Sequence, residues 1–368
     1  MDKVRFGVIG VKGIGKIHIK GILSTEEADL QAVADIDEEE GRSVASAYGV
    51  EWYNDYEKML ELEELDAVTV CTPHFLHYPM VMRALDSVKH VLVEKPMAIT
   101  VGEADNMIAN ARRRGLKLGV VFQYRTDPVN RQIKRSIETG ELGRLYRVCM
   151  EACCFRTQSY YNMDAWRGRW ATEGGGALIN QTIHDLDLLG WFVGKPVRLQ
   201  GQIGTLYHNI KVEDIASATV LFENGAHGVI QVGVVDAVET ARLEICGEKG
   251  KIIKEGGKTQ HAILGRPLKE YIAEEKIWDV DIQYEWRELK PDKEATGGHG
   301  AVIKDFARAI LEDREPMVNG ENGRISLEFV NAIILSSFER KAVYFPINRD
   351  TYDQLMKKLV IRSKSILA

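Results

Sequence analysis

Three groups of residues in this 368-residue sequence have types and spacings suited to chemistry. The first, Gly7-Val-Ile-Gly10-Val-Lys12-Gly13-Ile14-Gly15, follows an apolar run and leads into a helical pattern. A dinucleotide fingerprint needs a tight turn at its first glycine, close backbone approach to pyrophosphate at its second, and close helix–strand packing at its third. Aligned on Gly10 and Gly15, the second position is Lys12 with Gly13 beside it, so the loop alone is a weak match. Asp35, twenty residues beyond Gly15 at the end of the next strand pattern, restores much of it. An acid there accepts hydrogen bonds from the adenosine ribose hydroxyls and repels a 2′-phosphate. NAD is therefore the expected cofactor, while Lys12 adds a cation near the phosphates and leaves NADP open. The plain alternative is a glycine-rich turn that binds nothing.

The second group is His90-Val-Leu-Val-Glu94-Lys95-Pro96, which carries a lysine just past a buried strand. Ligands bind at the carboxyl ends of strands in open α/β sheets. Proline restricts the preceding residue to extended geometry and admits a cis bond at modest cost, which would hold the Lys95 backbone in one orientation. A lone lysine at a strand end is otherwise a surface residue. The third group is Glu173-Gly-Gly-Gly176-Ala-Leu-Ile-Asn180-Gln-Thr-Ile-His184-Asp-Leu-Asp187. Its glycines let backbone approach a ligand, and the N-terminal amides of a following helix could face it. Asn180 and His184 are spaced i, i+4 and would share a helix face, with Asp187 one turn on. A histidine with ordinary pKa near ~6.5 suits removal of an alcohol proton, and a neighbouring carboxylate could fix its tautomer. A hydrogen-bonded core histidine is the bland reading.

The elements that must position these groups fall into two halves. Strand patterns at Val4–Ile9, Leu30–Ala34, Ala67–Cys71, His90–Val93 and Leu118–Phe122 alternate with helical patterns at Lys16–Leu23, after Asp37, at Pro79–Leu85 and at Ala104–Arg114. Thr100 and Glu103 have capping-box spacing ahead of the last of these. This alternation predicts a doubly wound parallel sheet covered on both faces. Beyond Gln123, strand patterns at Leu145–Phe155, Val197–Leu206, Ile215–Phe222, Gly228–Val235 and Arg242–Cys246 predict an α+β half with a largely antiparallel open sheet. Asn224-Gly225 and Glu248-Lys249-Gly250 sit where hairpin turns belong. Helices are predicted at Val129–Glu138, Ala177–Val193, His299–Glu312 and Arg324–Arg340. The natural cut divides the chain into a nucleotide-binding domain, residues 1–122, and a substrate-binding and oligomerisation domain, residues 123–368.

Composition narrows the class. The charge sum of −6, from 48 basic and 54 acidic residues without a long basic tract, argues against nucleic acid as a partner. No apolar run reaches the ~18 residues of a membrane span, and the opening MDKVRFGVIG is too short and charged for a signal peptide. Five cysteines without CxxC spacing suit reduced thiols in a cytoplasmic protein better than a disulfide framework or zinc site. Cys153 and Cys154 adjoin within a strand and would point to opposite faces, so no metal is expected.

Taken together, Gly7–Gly15, Asp35, Cys71-Thr72-Pro73 with His77, Glu94-Lys95-Pro96, Gly174–His184, His299, Glu315-Pro316 with Gly320, and Val343–Pro346 resemble the Gfo/Idh/MocA family of glucose–fructose oxidoreductases and inositol dehydrogenases. The resemblance implies a Rossmann domain, a C-terminal open sheet commonly covered by another subunit, and a homodimer or homotetramer formed through it. It also implies NAD(P)-dependent hydride transfer at a secondary hydroxyl of a sugar, cyclitol or related polyol. By the same carry-over Lys95 polarises that hydroxyl and His184 acts as acid/base. The cofactor would meet Gly10, Lys12, Gly13, Ile14, Gly15, Asp35, Thr72, Pro73, His77, Glu94 and Lys95. The substrate would meet Asn180, His184 and His299. Many members have Asp at position 180, so Asn180 is read as a hydrogen-bonding residue rather than a base. Arg125, after the last Rossmann strand, is a candidate for substrate or for a domain-interface salt bridge. Trp166 and Arg167 form an aromatic–basic cluster with Tyr161 and Trp170 that suits either stacking on a sugar or a packed covering loop. A non-catalytic nucleotide-sensing or scaffold protein of the same fold, or a keto-sugar or imine reductase, are the competing readings.

Overall fold

Short β-branched runs become the buried strands of the first sheet. The computed structural model describes residues 2–274, 276 and 278–365. Strands β1 (Val4–Ile9), β2 (Ala28–Ala34), β3 (Glu51–Tyr53), β4 (Ala67–Val70), β5 (His90–Val93) and β6 (Leu118–Val120) alternate with helices α1 (Ile14–Leu23), α2 (Glu38–Tyr48), α3 (Tyr56–Leu60), α4 (His74–Asp86) and α5 (Val101–Arg114). All six strands are parallel, in the order β3-β2-β1-β4-β5-β6. Every residue of β4 is buried, as expected of a strand with both faces covered. The strand order reverses between β1 and β4, which puts the ligand crevice at Gly10 and Cys71. Thr100 and Glu103 form the reciprocal capping box at the start of α5.

The second half contains β7 (Leu145–Phe155), β8 (Pro196–Gly204), β9 (Ile215–Phe222), β10 (His227–Gly233), β11 (Val235–Gly247), β12 (Gly250–Glu255), β13 (Lys258–Leu264), β14 (Tyr284–Glu288) and β15 (Val343–Tyr344). They form one sheet in the order β14-β13-β12-β11-β7-β10-β9-β8-β15, antiparallel except for the β7–β10 pair. Its helices are α6 (Pro128–Glu138), α7 (Gln158–Asn162), α8 (Ile183–Val193), α9 (Leu268–Ile272), α10 (His299–Leu311), α11 (Gly320–Glu339) and α12 (Arg349–Ser365). α10 packs on α1, and Val120 donates to the Val318 carbonyl, so the later helices return to the first sheet. Among the described residues no helix is long and apolar enough to cross a membrane.

Several elements depart from the predicted bounds. α4 begins at His74, with Pro79 inside it rather than at its start. The single helix predicted over 177–193 is a five-residue π turn, Ala177–Gln181, followed after Thr182 by α8. β11 extends N-terminally to Val235, which pairs with Phe155 at the far end of β7, with an irregular stretch before pairing resumes at Thr240.

Candidate active site

At the nucleotide end, local backbone geometry makes the cradle. Gly10 has φ +87°, and a Cβ on Gly15 would stand 1.9 Å from the Gly10 carbonyl oxygen, so α1 can enter this close only at a glycine. Nothing lies within 4 Å of where a side chain on Gly13 would begin, which leaves open space over the loop where Ile14 starts α1. Asp35 spans the turn: one carboxylate oxygen accepts from Val11 N at 2.9 Å and the other from Asp37 N at 2.9 Å. Lys12, expected near the phosphates, instead pairs with Asp37 at 2.6 Å, at the start of α2. This cradle fits a dinucleotide: backbone amides and open space at the loop, and a carboxylate at the end of β2.

Thr72 and Pro73 follow β4, and Pro73 precedes the first turn of α4. His77 on that helix is fully buried, with Nδ1 2.7 Å from the Pro96 carbonyl and Nε2 2.7 Å from the Thr72 carbonyl. Both contacts are hydrogen bonds at once only when the ring carries two N–H groups. Burial lowers the His77 pKa, and the neutral ring, with one N–H, donates to one of these two carbonyls while the Thr72 and Pro96 turns close around it.

Lys95 and the glycine-rich segment converge. The Lys95–Pro96 bond is cis. Lys95 Nζ donates to the Asn180 backbone oxygen at 2.7 Å and lies 3.4 Å from Asn180 Oδ1. Burial draws the Lys95 pKa below its ordinary 10.5, with Glu94 opposing. The Asn180 amide is held from behind, since its Nδ2 donates to Glu173 Oε1 at 2.6 Å and to the Tyr160 hydroxyl at 3.2 Å. Glu173 is fully buried, and that burial pushes its carboxyl up to about 7. The amides at the head of the turn do not face a ligand as the sequence suggested. Gly176 N and Leu178 N donate to Glu213 Oε1 at 2.8 and 3.0 Å, so a buried carboxylate 37 and 35 residues away ends the turn.

His184 lies one turn past Asn180, 7% exposed, stacked on the Tyr124 ring at 4.6 Å and edge-on to Phe122 at 5.5 Å. Burial first, then the Lys95 charge, draw its pKa down to about 3, so the ring is neutral across the physiological range. The carboxylate expected to fix its tautomer is elsewhere. Asp187 takes both of its oxygens to Arg125, at 2.8 and 2.7 Å, and His184 Nδ1 is buried with no partner among the described residues. Arg125 thus has the interface salt bridge of its two candidate roles.

Around this centre the remaining candidates hold one another. Arg167 lies over the Tyr160 and Trp166 rings at 4.4 and 4.5 Å, and Trp166 packs on His74 at 4.8 Å. Glu94 Oε2 accepts from Lys95 N at 3.1 Å, while its Oε1 faces His18 Nε2 at 2.9 Å and His299 Nε2 at 3.5 Å. These three side chains are the one group among the described residues whose ligand atoms are close enough together for a metal. His18 Nε2 and Glu94 share a hydrogen bond at 2.9 Å, His18 Nδ1 is buried with no partner among the described residues, and the two histidines draw Glu94 well below the ordinary carboxyl range despite its burial. Sequence reasoning missed Tyr124, Tyr160, Glu173, Glu213 and His18. Only Glu173, flanking the glycine run, carried a local signal.

The fold and cradle define an NAD-binding oxidoreductase. Residues 4–122 match the model described as "Oxidoreductase family, NAD-binding Rossmann fold", and residues 130–253 match the GFO/IDH/MocA C-terminal domain. The chain belongs to the GFO/IDH/MocA family. It is 26% identical to the myo-inositol 2-dehydrogenase of Thermotoga maritima over 352 residues, covering 92% of this chain and 98% of that protein. The scyllo-inositol 2-dehydrogenase (NAD(+)) of Bacillus subtilis is 25% identical over 341 residues, 89% of this chain and 92% of that one. Among solved structures, the WlbA dehydrogenase of Bordetella pertussis, in complex with NADH and UDP-GlcNAcA, is 28% identical. It superposes with a TM-score of 0.81 over 94% of this chain and all of that one.

Proposed function

We propose that the protein oxidises a secondary hydroxyl of a sugar, cyclitol or related polyol, or reduces the corresponding ketone, with Lys95 and His184 at the reacting centre. The observation that carries this reading is the convergence of a half-buried lysine, Asn180 and a neutral histidine beyond the end of β5. Nicotinamide, when bound, exchanges the hydride. The Lys95 ammonium donates to the substrate oxygen and stabilises the negative charge that develops on it. Neutral His184 has a free nitrogen lone pair, and it accepts the hydroxyl proton as Lys95 polarises the oxygen. Glu94, anionic beside the Lys95 amide, opposes the lowering of the lysine's pKa by desolvation. Domain 1–122 would hold the cofactor and 123–368 the substrate and any partner subunit.

The reading is tested by incubating the enzyme with NAD and a panel of myo-inositol, scyllo-inositol and common hexoses, following NADH absorbance. Oxidation of at least one is expected. Tight NADH binding, measured by fluorescence, with no turnover across a broad panel would favour the nucleotide-sensing alternative instead.

Glu173 gives a pH prediction. Its carboxyl titrates near 7 in the fold against an ordinary 4.5. Ionised, it accepts the Asn180 amide hydrogen bond and places a negative charge that supports the Lys95 ammonium. Activity is expected to rise through an acid limb near pH 7 as Glu173 ionises. Glu173→Gln should flatten that limb and lower the plateau by about tenfold, the scale of one charge-assisted hydrogen bond. The stability sign is opposite. The folded chain keeps the Glu173 proton that the unfolded chain gives up, so this contribution is full below about pH 4.5 and is lost as pH rises through 7. A pH–rate profile of the variant with an unchanged acid limb would remove Glu173 from this role.

A further inference from the structure

A cavity of about 240 Å³ has none of Lys95, Asn180 and His184 in its lining. Tyr124 forms one wall, and the same ring stacks on His184 at 4.6 Å. Asp185 and Leu188 of α8 form the roof, Leu188 being one helical turn from His184 on the same face. The floor comes from the second sheet. Met150 of β7 pairs with Leu243 of β11, which pairs with Lys254 of β12, so these three side chains share one face of three adjacent strands. Ala241, two residues from Leu243, continues that face. Glu151 and Arg242 pair one position out of step, which turns their side chains to the opposite face.

The polar groups left to the cavity are few and of both kinds. Among the described residues, no other residue donates a hydrogen bond to the Asp185 carboxyl, which burial raises to about 6, and no ion pair joins it to Lys254. Lys254 Nζ is anchored at 2.7 Å by Asn130 Oδ1, with further donor capacity. A carboxylate repels an anionic ligand and an ammonium repels a cationic one. A hydroxyl can donate to the first and accept from the second. The apolar floor and the Tyr124 ring suit the flat face of a sugar. The volume falls below the ~300–1,000 Å³ of sites for larger, drug-sized ligands, which favours one ring over a nucleotide.

We infer that this cavity is a subsite for a second, neutral sugar ring, and that the substrate is a glycoside or disaccharide whose reacting ring lies between Lys95 and His184. The inference rests on the oxidation reading above, and its test separates the two. Oxidation of cellobiose, maltose and trehalose is compared with oxidation of glucose and myo-inositol, using NAD and the intact enzyme. At least one disaccharide should exceed glucose in kcat/KM by about tenfold, and Ala241→Phe, which fills the cavity, should bring that ratio close to one. Glucose or inositol oxidised without preference for any disaccharide overturns the subsite and leaves the oxidation reading standing. Saturation-transfer NMR on the NADH complex decides the case in which nothing is oxidised. Saturation on both rings of a disaccharide supports the subsite; saturation on one ring only, or on none, overturns it.

Discussion

Lys95→Met is expected to lower kcat by about 10²–10⁴-fold, the range of general acid–base and charge-stabilising groups, while NADH still binds. Methionine keeps the length and apolar stem of the side chain, so the packing beside Asn180 changes little. What it removes is the ammonium that now reaches the Asn180 backbone oxygen at 2.7 Å and Oδ1 at 3.4 Å. On the proposed reading that charge stands where an alkoxide would form, and Glu94 and Glu173 both oppose the lowering of its pKa by desolvation. His184 cannot substitute for it. With its pKa drawn down to about 3, the imidazole carries no charge at neutral pH. Steady-state NADH formation and a fluorescence titration of NADH check the two halves separately. Turnover near that of the unmodified enzyme would remove Lys95 from the chemistry. Loss of both turnover and NADH binding would recast it as a residue that holds the cofactor.

The parts of this arrangement that sequence reasoning could see are those written in consecutive residues. β1, β4 and β5 are legible because burial on both faces demands a nearly continuous apolar run, broken here only by Arg5, Thr69 and His90. The Thr100–Glu103 capping box is legible because both partners lie within one turn. Lys95, Asn180 and His184 sit in recognisable local motifs, and the fold brings them together. Other features depend on contacts that no window contains. β14 has all five residues exposed, so no buried face marks it as a strand. The π turn at Ala177–Gln181 is stabilised by Glu213, 35–37 residues on, so an i, i+4 pattern looked like a continuous helix. Tyr124 and Tyr160 acquire roles only through the rings and amides packed against them. Lys12 is a different case. Its partner Asp37 was visible as the head of α2, but the side chain's direction, toward Asp37, was not.

Arg125 is where the sequence left two roles open and the geometry separates them energetically. Its guanidinium forks onto both oxygens of Asp187, with the two side chains only 6% and 1% exposed, and lies 5.5 Å from the centroid of the Trp191 ring. Arg125 follows β6 directly, whereas Asp187 belongs to α8, so the pair fastens the end of the Rossmann sheet to the helix that carries His184. Arg125→Met leaves the Asp187 carboxylate buried without its counter-charge. Breaking one side of a buried pair costs about 3–5 kcal/mol, far above the ~0–1 kcal/mol of an exposed bridge. Urea unfolding of the variant should show that loss. Arg125→Met with Asp187→Leu should recover most of it, because no stranded charge remains and the volume is kept apolar. A single-variant loss under about 1 kcal/mol, accompanied by a fall in kcat/KM, would instead mean that the guanidinium leaves Asp187 to meet the substrate. A large loss restored by the double change assigns Arg125 to fixing His184 relative to Lys95, so that the two groups share one reacting centre.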